Sequence, residues 1–165
     1  MKPVGSVCDV RSKFLAAAMA VLFFSSHAAT SESLRDTLEG FGFFGRWAMD
    51  CAEQASPENN VRNARMSQTG DPIFSESLGA DGDPNIYLIL RAKRTGPDTI
   101  VIRTKLNSDI EQELTMRRDS NRLRTVTNRD RADGRYIVRH GIVTSNKKQT
   151  PWLTRCDGTE EKSED

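Results

Sequence analysis

Two alternating runs, joined by three polar residues, point to a β-hairpin in the middle of this 165-residue chain. Ile100, Ile102 and Leu106 alternate with Val101, Arg103 and Lys105. In the next run Ile110, Leu114 and Met116 alternate with Glu111, Glu113 and Thr115. Successive side chains of a strand point to opposite faces, so each run has one face for a core and one for water. A three-residue loop at Asn107-Ser108-Asp109 sets Leu106 opposite Ile110, Ile102 opposite Leu114 and Ile100 opposite Met116. The same loop sets Lys105 against Glu111 and Arg103 against Glu113. A slip of one residue would turn every apolar side chain outward, so this register is strongly specified.

Strand signals extend on both sides of the hairpin. Ile86, Leu88, Leu90 and Ala92 alternate with Tyr87, Ile89, Arg91 and Lys93, which predicts an inward set of Ile86, Leu88 and Leu90. Further strands are expected at Phe43–Cys51, Val61–Gln68, Ile73–Leu78, Leu123–Asn128, around Tyr136–His140 and at Pro151–Cys156, with turn-forming residues between them. Ahead of them, residues 30–41 predict a short helix. Thr30, Ser31 and Ser33 offer caps, with Asp36 three residues after Ser33, while Leu34, Leu38 and Phe41 share one face, and Gly40 and Gly42 end it. Eight or so short strands with hairpin-length connections predict an all-β fold. The expected architecture is an antiparallel up-and-down barrel preceded by a short helix, with a two-sheet β-sandwich as the alternative.

The chain opens with Lys2, Arg11 and Lys13, then the apolar run Phe14–Phe24, then Ser26-His27-Ala28. That is the layout of a signal peptide, 1–28, with cleavage after Ala28, and the run is too short for a stable membrane anchor. Export implies a periplasmic or secreted protein, with a single domain over 29–156 and an acidic, disordered tail over 157–165. Cys8 leaves with the signal. Cys51 and Cys156 remain, near the two ends of the domain, in a compartment that permits a disulfide. Loss of Lys2, Arg11, Lys13 and Asp9 turns 24 basic and 23 acidic residues into 21 and 22. A near-neutral balance argues against a nucleic-acid binder.

Gly45-Arg46-Trp47 lies in the first expected strand and Arg155 in the last. This pairing resembles the lipocalin (calycin) family, in which a Gly-x-Trp packs across the closed end of a barrel and a late arginine covers the Trp. The resemblance implies a structural plug of Gly45, Trp47 and Arg155, with Gly45 leaving room for the indole. Small secreted inhibitors of bacterial metalloproteases share this barrel plan, and their inhibitory segment would correspond to Ala29–Glu39. The ends Gly45–Cys51 and Thr150–Cys156 also resemble small exported bacterial proteins of the periplasm with no established activity.

Chemistry-bearing motifs are sparse. His140 is the one histidine left after cleavage, and with two cysteines committed to a disulfide it leaves no common zinc set. Asp81-Gly82-Asp83-Pro84-Asn85 begins like a calcium loop, but Ile86 and Ala92 stand where glycine and glutamate are needed. No nucleophile–base pair and no phosphate loop are legible, so no enzyme and no cofactor are expected. Residues 117–139 hold eight arginines and three aspartates. Arg117, Arg118, Arg122, Arg124, Arg129 and Arg131 form a candidate patch for an anionic partner, or else the charged face of edge hairpins. The expected function is a non-catalytic binding barrel for a small apolar or amphipathic ligand. Its inward candidates are Ile86, Leu88, Leu90, Ile100, Ile102, Leu114 and Met116. The alternative is a protein-interaction module, either a protease inhibitor or an envelope partner.

Overall fold

The computed structural model describes residues 32–79, 82–107 and 109–156. The expected signal peptide, Asp81 of the acidic loop, Ser108 of the central hairpin and the tail 157–165 lie outside the described residues. Among these residues one helix, α1 (Leu34–Phe41), precedes ten strands. These are β1 (Gly45–Ala48), β2 (Val61–Met66), β3 (Pro72–Ser77), β4 (Asn85–Gly96) and β5 (Thr99–Leu106). They continue with β6 (Ile110–Asp119), β7 (Arg122–Asp130), β8 (Tyr136–Arg139), β9 (Ile142–Val143) and β10 (Leu153–Arg155).

From β1 to β7 each strand pairs antiparallel with the next, as hairpin-length connections require. β10 then pairs with β7 on one side and with β1 on the other, which closes an eight-stranded barrel. The sandwich alternative falls, because β10 joins what would have been two free sheet edges. The barrel also departs from a plain up-and-down order. β7 offers Arg122 and Leu123 to β10, and Asn128 and Arg129 to β8, so the β8–β9 hairpin fills the rest of the same edge.

The central hairpin has the register the sequence dictates: Leu106 faces Ile110, Ile102 faces Leu114, Ile100 faces Met116, Lys105 faces Glu111 and Arg103 faces Glu113. Ile100, Ile102, Leu114 and Met116 are buried in the core. β4 is different. Tyr87 and Ile89 point into the barrel, whereas Ile86 is 47% exposed and Leu88 and Leu90 lie half-buried on the outer surface. The expectation that Ile86, Leu88 and Leu90 face inward is thus corrected. The physical cause is a β-bulge: Ile89 pairs with Thr104 and Arg91 with Arg103, leaving Leu90 as an extra residue. The bulge reverses the parity of the strand, so Ala92 packs on the core although it shares parity with Ile86.

α1 closes one end of the barrel. Ser33 accepts a hydrogen bond from the Asp36 N–H at 3.1 Å, and Asp36 places negative charge in the first turn. Leu38 and Phe41 are fully buried with Phe43 and Trp47. Gly42 ends the helix at φ 72°, where a Cβ would sit 2.5 Å from Arg118 Nη1. Arg118 in turn donates to the Phe41 carbonyl and lies over the Phe41 ring. The left-handed backbone and the overlying guanidinium both favour glycine at this position.

Cys51 and Cys156 form a disulfide with their Cα atoms 5.5 Å apart, across a sequence separation of 105. The Cys156 N–H also donates to the Arg46 carbonyl at 2.8 Å. The bond therefore clamps the two short strands that close the barrel. A loop of this length gives a large entropic stabilisation in the chain-entropy model. Replacing Cys51 and Cys156 together by alanine is expected to lower unfolding stability by about 2–5 kcal/mol. Urea titrations of the two proteins measure it, and equal midpoints and slopes would contradict a clamping role.

Candidate functional site

The barrel interior divides into two ends. At the α1 end Trp47 is buried and donates its indole N–H to the Phe43 carbonyl at 3.0 Å. Arg155, its cross-strand partner, lies with its guanidinium 5.7 Å from the ring centroid. The structure therefore brings Gly45, Trp47 and Arg155 together. The atoms over Gly45 belong to Arg155, not to the indole: a Cβ there would meet Arg155 Nε at 3.4 Å, and φ is 131°. Gly45 makes room for the guanidinium, which corrects the role expected for it.

The opposite end holds a cavity of about 390 Å³, partly open to solvent. Phe74, Leu114, Val138 and Leu153 supply apolar wall, and Pro151, Ile137 and Val143 from the inserted hairpin and its return segment lie over it. Of the seven ligand-facing candidates only Leu114 lines this space. Ile100, Ile102 and Met116 pack in the core, and Ile86, Leu88 and Leu90 are outside.

The polar part of the wall has no counterpart in the sequence reading. Arg62 and Glu76 are directly opposed on β2 and β3 and form an ion pair at 2.8 Å, each side chain only about one-sixth exposed or less. Arg62 donates from Nε and Nη2 to Glu76 Oε1, at 3.0 and 2.8 Å, and from Nη1 across the barrel to Thr125 Oγ1 at 2.9 Å. Asn60 Nδ2 donates to the same Glu76 oxygen at 2.9 Å. Tyr87 stacks on Phe74, with centroids 4.3 Å apart and planes within 9° of parallel, and points its hydroxyl at Glu76 Oε2. On the far wall Asn128 Nδ2 donates to Gln112 Oε1 at 3.1 Å. The Oδ1 atoms of Asn60 and Asn128 are buried and accept no hydrogen bond from the protein.

Burial pushes the Glu76 carboxyl up, but the Arg62 charge and the hydrogen bonds from Asn60, Arg62 and Tyr87 outweigh it, so Glu76 is held below its ordinary value. The Tyr87 phenol is pushed up to about 12, first by burial and then by the neighbouring Glu76 charge. At neutral pH the site thus holds an ionised carboxylate, its guanidinium partner and a neutral phenol.

The arginine-rich stretch is not one patch. Arg118 serves the helix end, and Arg131 bridges Glu111 and Glu113 at 3.7 and 3.5 Å. Arg122 and Arg124 lie over the Trp152 ring at 5.2 and 5.8 Å, with Arg117 the cross-strand neighbour of Arg124. Arg122 also pairs with Asp119, and Arg124 donates to Thr150 Oγ1 and the Gly141 carbonyl. Arg129 donates to the Gly134 carbonyl and lies over Tyr136. Arg118, Arg122, Arg124 and Arg129 thus lie over aromatic rings. The ion pairs of the central hairpin are also diagonal: Glu111, not Glu113, accepts from Arg103. His140 sits exposed at the β8–β9 turn with φ 53°.

No family model, no curated protein and no solved structure matches the chain.

Two titrations check the site. Glu76 is depressed in the folded state, so its stabilisation is present above the unfolded carboxyl value and is lost as pH falls through the folded value. Glu76→Gln should therefore flatten the acid limb of a stability–pH curve, and an unchanged limb would contradict the pairing. Tyr87 is raised, so its contribution is complete below the unfolded phenol value and is lost as pH rises towards about 12. In a Tyr136→Phe variant, phenolate absorbance should appear only near that pH while the protein stays folded.

Proposed function

We propose that this chain is an exported, non-catalytic, lipocalin-like barrel of the periplasm or extracellular space that carries a small apolar or amphipathic ligand in its open end. The observation that carries this reading is the cavity of about 390 Å³, which lies within the range of small-molecule sites. An eight-stranded barrel is wide enough either to fill itself with side chains or to hold one small ligand. Here the α1 end is filled and the other is not. Aromatic and aliphatic wall with a few convergent polar groups is the usual make-up of a ligand site.

Export is supported by the charged, apolar and small-residue order of residues 1–28, and by a disulfide that suits an oxidising compartment. No helix among the described residues is long and apolar enough to cross a membrane. The inhibitor alternative has less support. Much of the segment that would enter a protease cleft is α1, whose Leu38 and Phe41 are fully buried.

Native mass spectrometry of the exported protein, with sequencing of its N-terminus, tests the proposal. A chain beginning at Ala29 with a retained small molecule is expected. Val143→Trp, a half-buried position over the cavity, should lower binding of an apolar fluorescent probe by at least about tenfold, or about 1.4 kcal/mol, with little change in thermal midpoint. A wild-type protein that retains nothing and takes up no probe would overturn the reading.

A further inference from the structure

Any occupant of the cavity must come to terms with the polar wall. Asn60 Oδ1 and Asn128 Oδ1 are buried acceptors without a protein donor. The orientation of the Asn60 amide is fixed, because its Nδ2 donates to Glu76. Glu76 adds two acceptor oxygens and a negative charge. On the donor side, Arg62 spends N–H groups on Glu76 and Thr125, and the Tyr87 hydroxyl is directed at Glu76. The Thr150 hydroxyl donates to the Thr125 carbonyl at 2.6 Å. These donors are thus turned onto the wall itself, while two buried acceptors are open. A buried polar group left unpaired costs free energy that a bound partner can return. An anionic head would meet a second negative charge at Glu76, in an interior that screens charge poorly.

We propose that the site selects a neutral amphiphile whose head group donates hydrogen bonds, such as a primary amide or an alcohol, over a carboxylate with the same apolar tail. This rests on the cavity-binding reading and deepens it. The head is bound between Asn60 and Glu76 on one wall and Asn128 on the other, and the tail lies along Phe74, Leu114 and Leu153. The buried ion pair is internally neutral, so it sets the polarity of the wall without calling for a charged ligand.

Octanamide, octan-1-ol and octanoate share one tail and test the choice by displacement of an apolar fluorescent probe from the wild-type protein. Octanamide and octan-1-ol should bind at least about tenfold more tightly than octanoate at neutral pH, a difference of about 1.4 kcal/mol. As pH falls through the ordinary carboxyl range of about 4 to 5, octanoate becomes a neutral donor and its affinity should rise towards that of the amide. In Asn128→Leu the amide should lose part of its advantage over octanoate at neutral pH, because the Asn60 oxygen and the Glu76 charge remain.

Octanoate binding as well as or better than octanamide at neutral pH would overturn the selectivity and leave the cavity reading intact. So would an octanoate affinity that does not rise on acidification. A folded Asn128→Leu protein with full discrimination would remove Asn128 from the assignment. If none of the three displaces the probe and the probe itself does not bind, the cavity reading fails instead. The acidification series needs only the wild-type chain, so the selectivity stays testable even if Asn128→Leu does not fold.

Discussion

Closure of the barrel depends on one short seam, where three-residue β10 meets four-residue β1. Only Trp47–Arg155 and Ala48–Thr154 are paired along it, far fewer residues than the β5–β6 ladder. So short a ladder is a weak closure by itself. Three further links reinforce it at the same place: the Cys51–Cys156 bond, the Cys156 N–H on the Arg46 carbonyl, and the Arg155 guanidinium over Trp47. The covalent link acts mainly on the unfolded chain, the stacking on the folded one. An open eight-stranded sheet would expose two unpaired edges, and closing it removes both.

With the wall closed, the contents of the barrel follow from which residues point inward. Near α1 the inward residues are Trp47, Ile100, Met116 and Leu123, with Leu38 and Phe41 supplied by the helix, and they pack to full burial. Towards the other end the inward residues become Arg62, Glu76, Gln112 and Asn128. Polar side chains need partners within reach and cannot collapse into a void as aliphatic ones do. Their hydrogen bonds to one another hold the wall in place, and a cavity remains between them.

The middle of the chain could be read from its letters because its two faces differ sharply. Ile100, Ile102, Leu114 and Met116 against Arg103, Lys105, Glu111 and Glu113 admit one register, and the structure has it. β4 could not be read so, because Ile86-Tyr87-Leu88-Ile89-Leu90 is apolar on both faces and a bulge at Leu90 has no residue signature of its own. The β8–β9 insertion was equally hidden, since local pattern does not say which edge a short hairpin joins. The polar wall was legible in principle. A turn around Thr69 places Arg62 opposite Glu76 and Ala64 opposite Phe74 on one face. Charges sharing parity with Ala64 and Phe74 must be buried with them, but two lone charges in a weakly patterned strand read as solvated.

The Arg62–Glu76 pair is a poor device for stability alone. Two charges lose their hydration on burial, and an apolar pair of similar volume often serves a fold as well or better. The pair is nonetheless built with care, with Asn60, Thr125 and Tyr87 all directed onto it. Such an arrangement does what an apolar pair could not. It fixes the Asn60 amide with its oxygen left over, takes the Tyr87 hydroxyl while that ring stacks on Phe74, and maintains an ionised carboxylate inside a barrel. The cost of burying the pair is repaid in a shaped and polar wall. That wall is the feature of this molecule that the needs of folding leave unexplained.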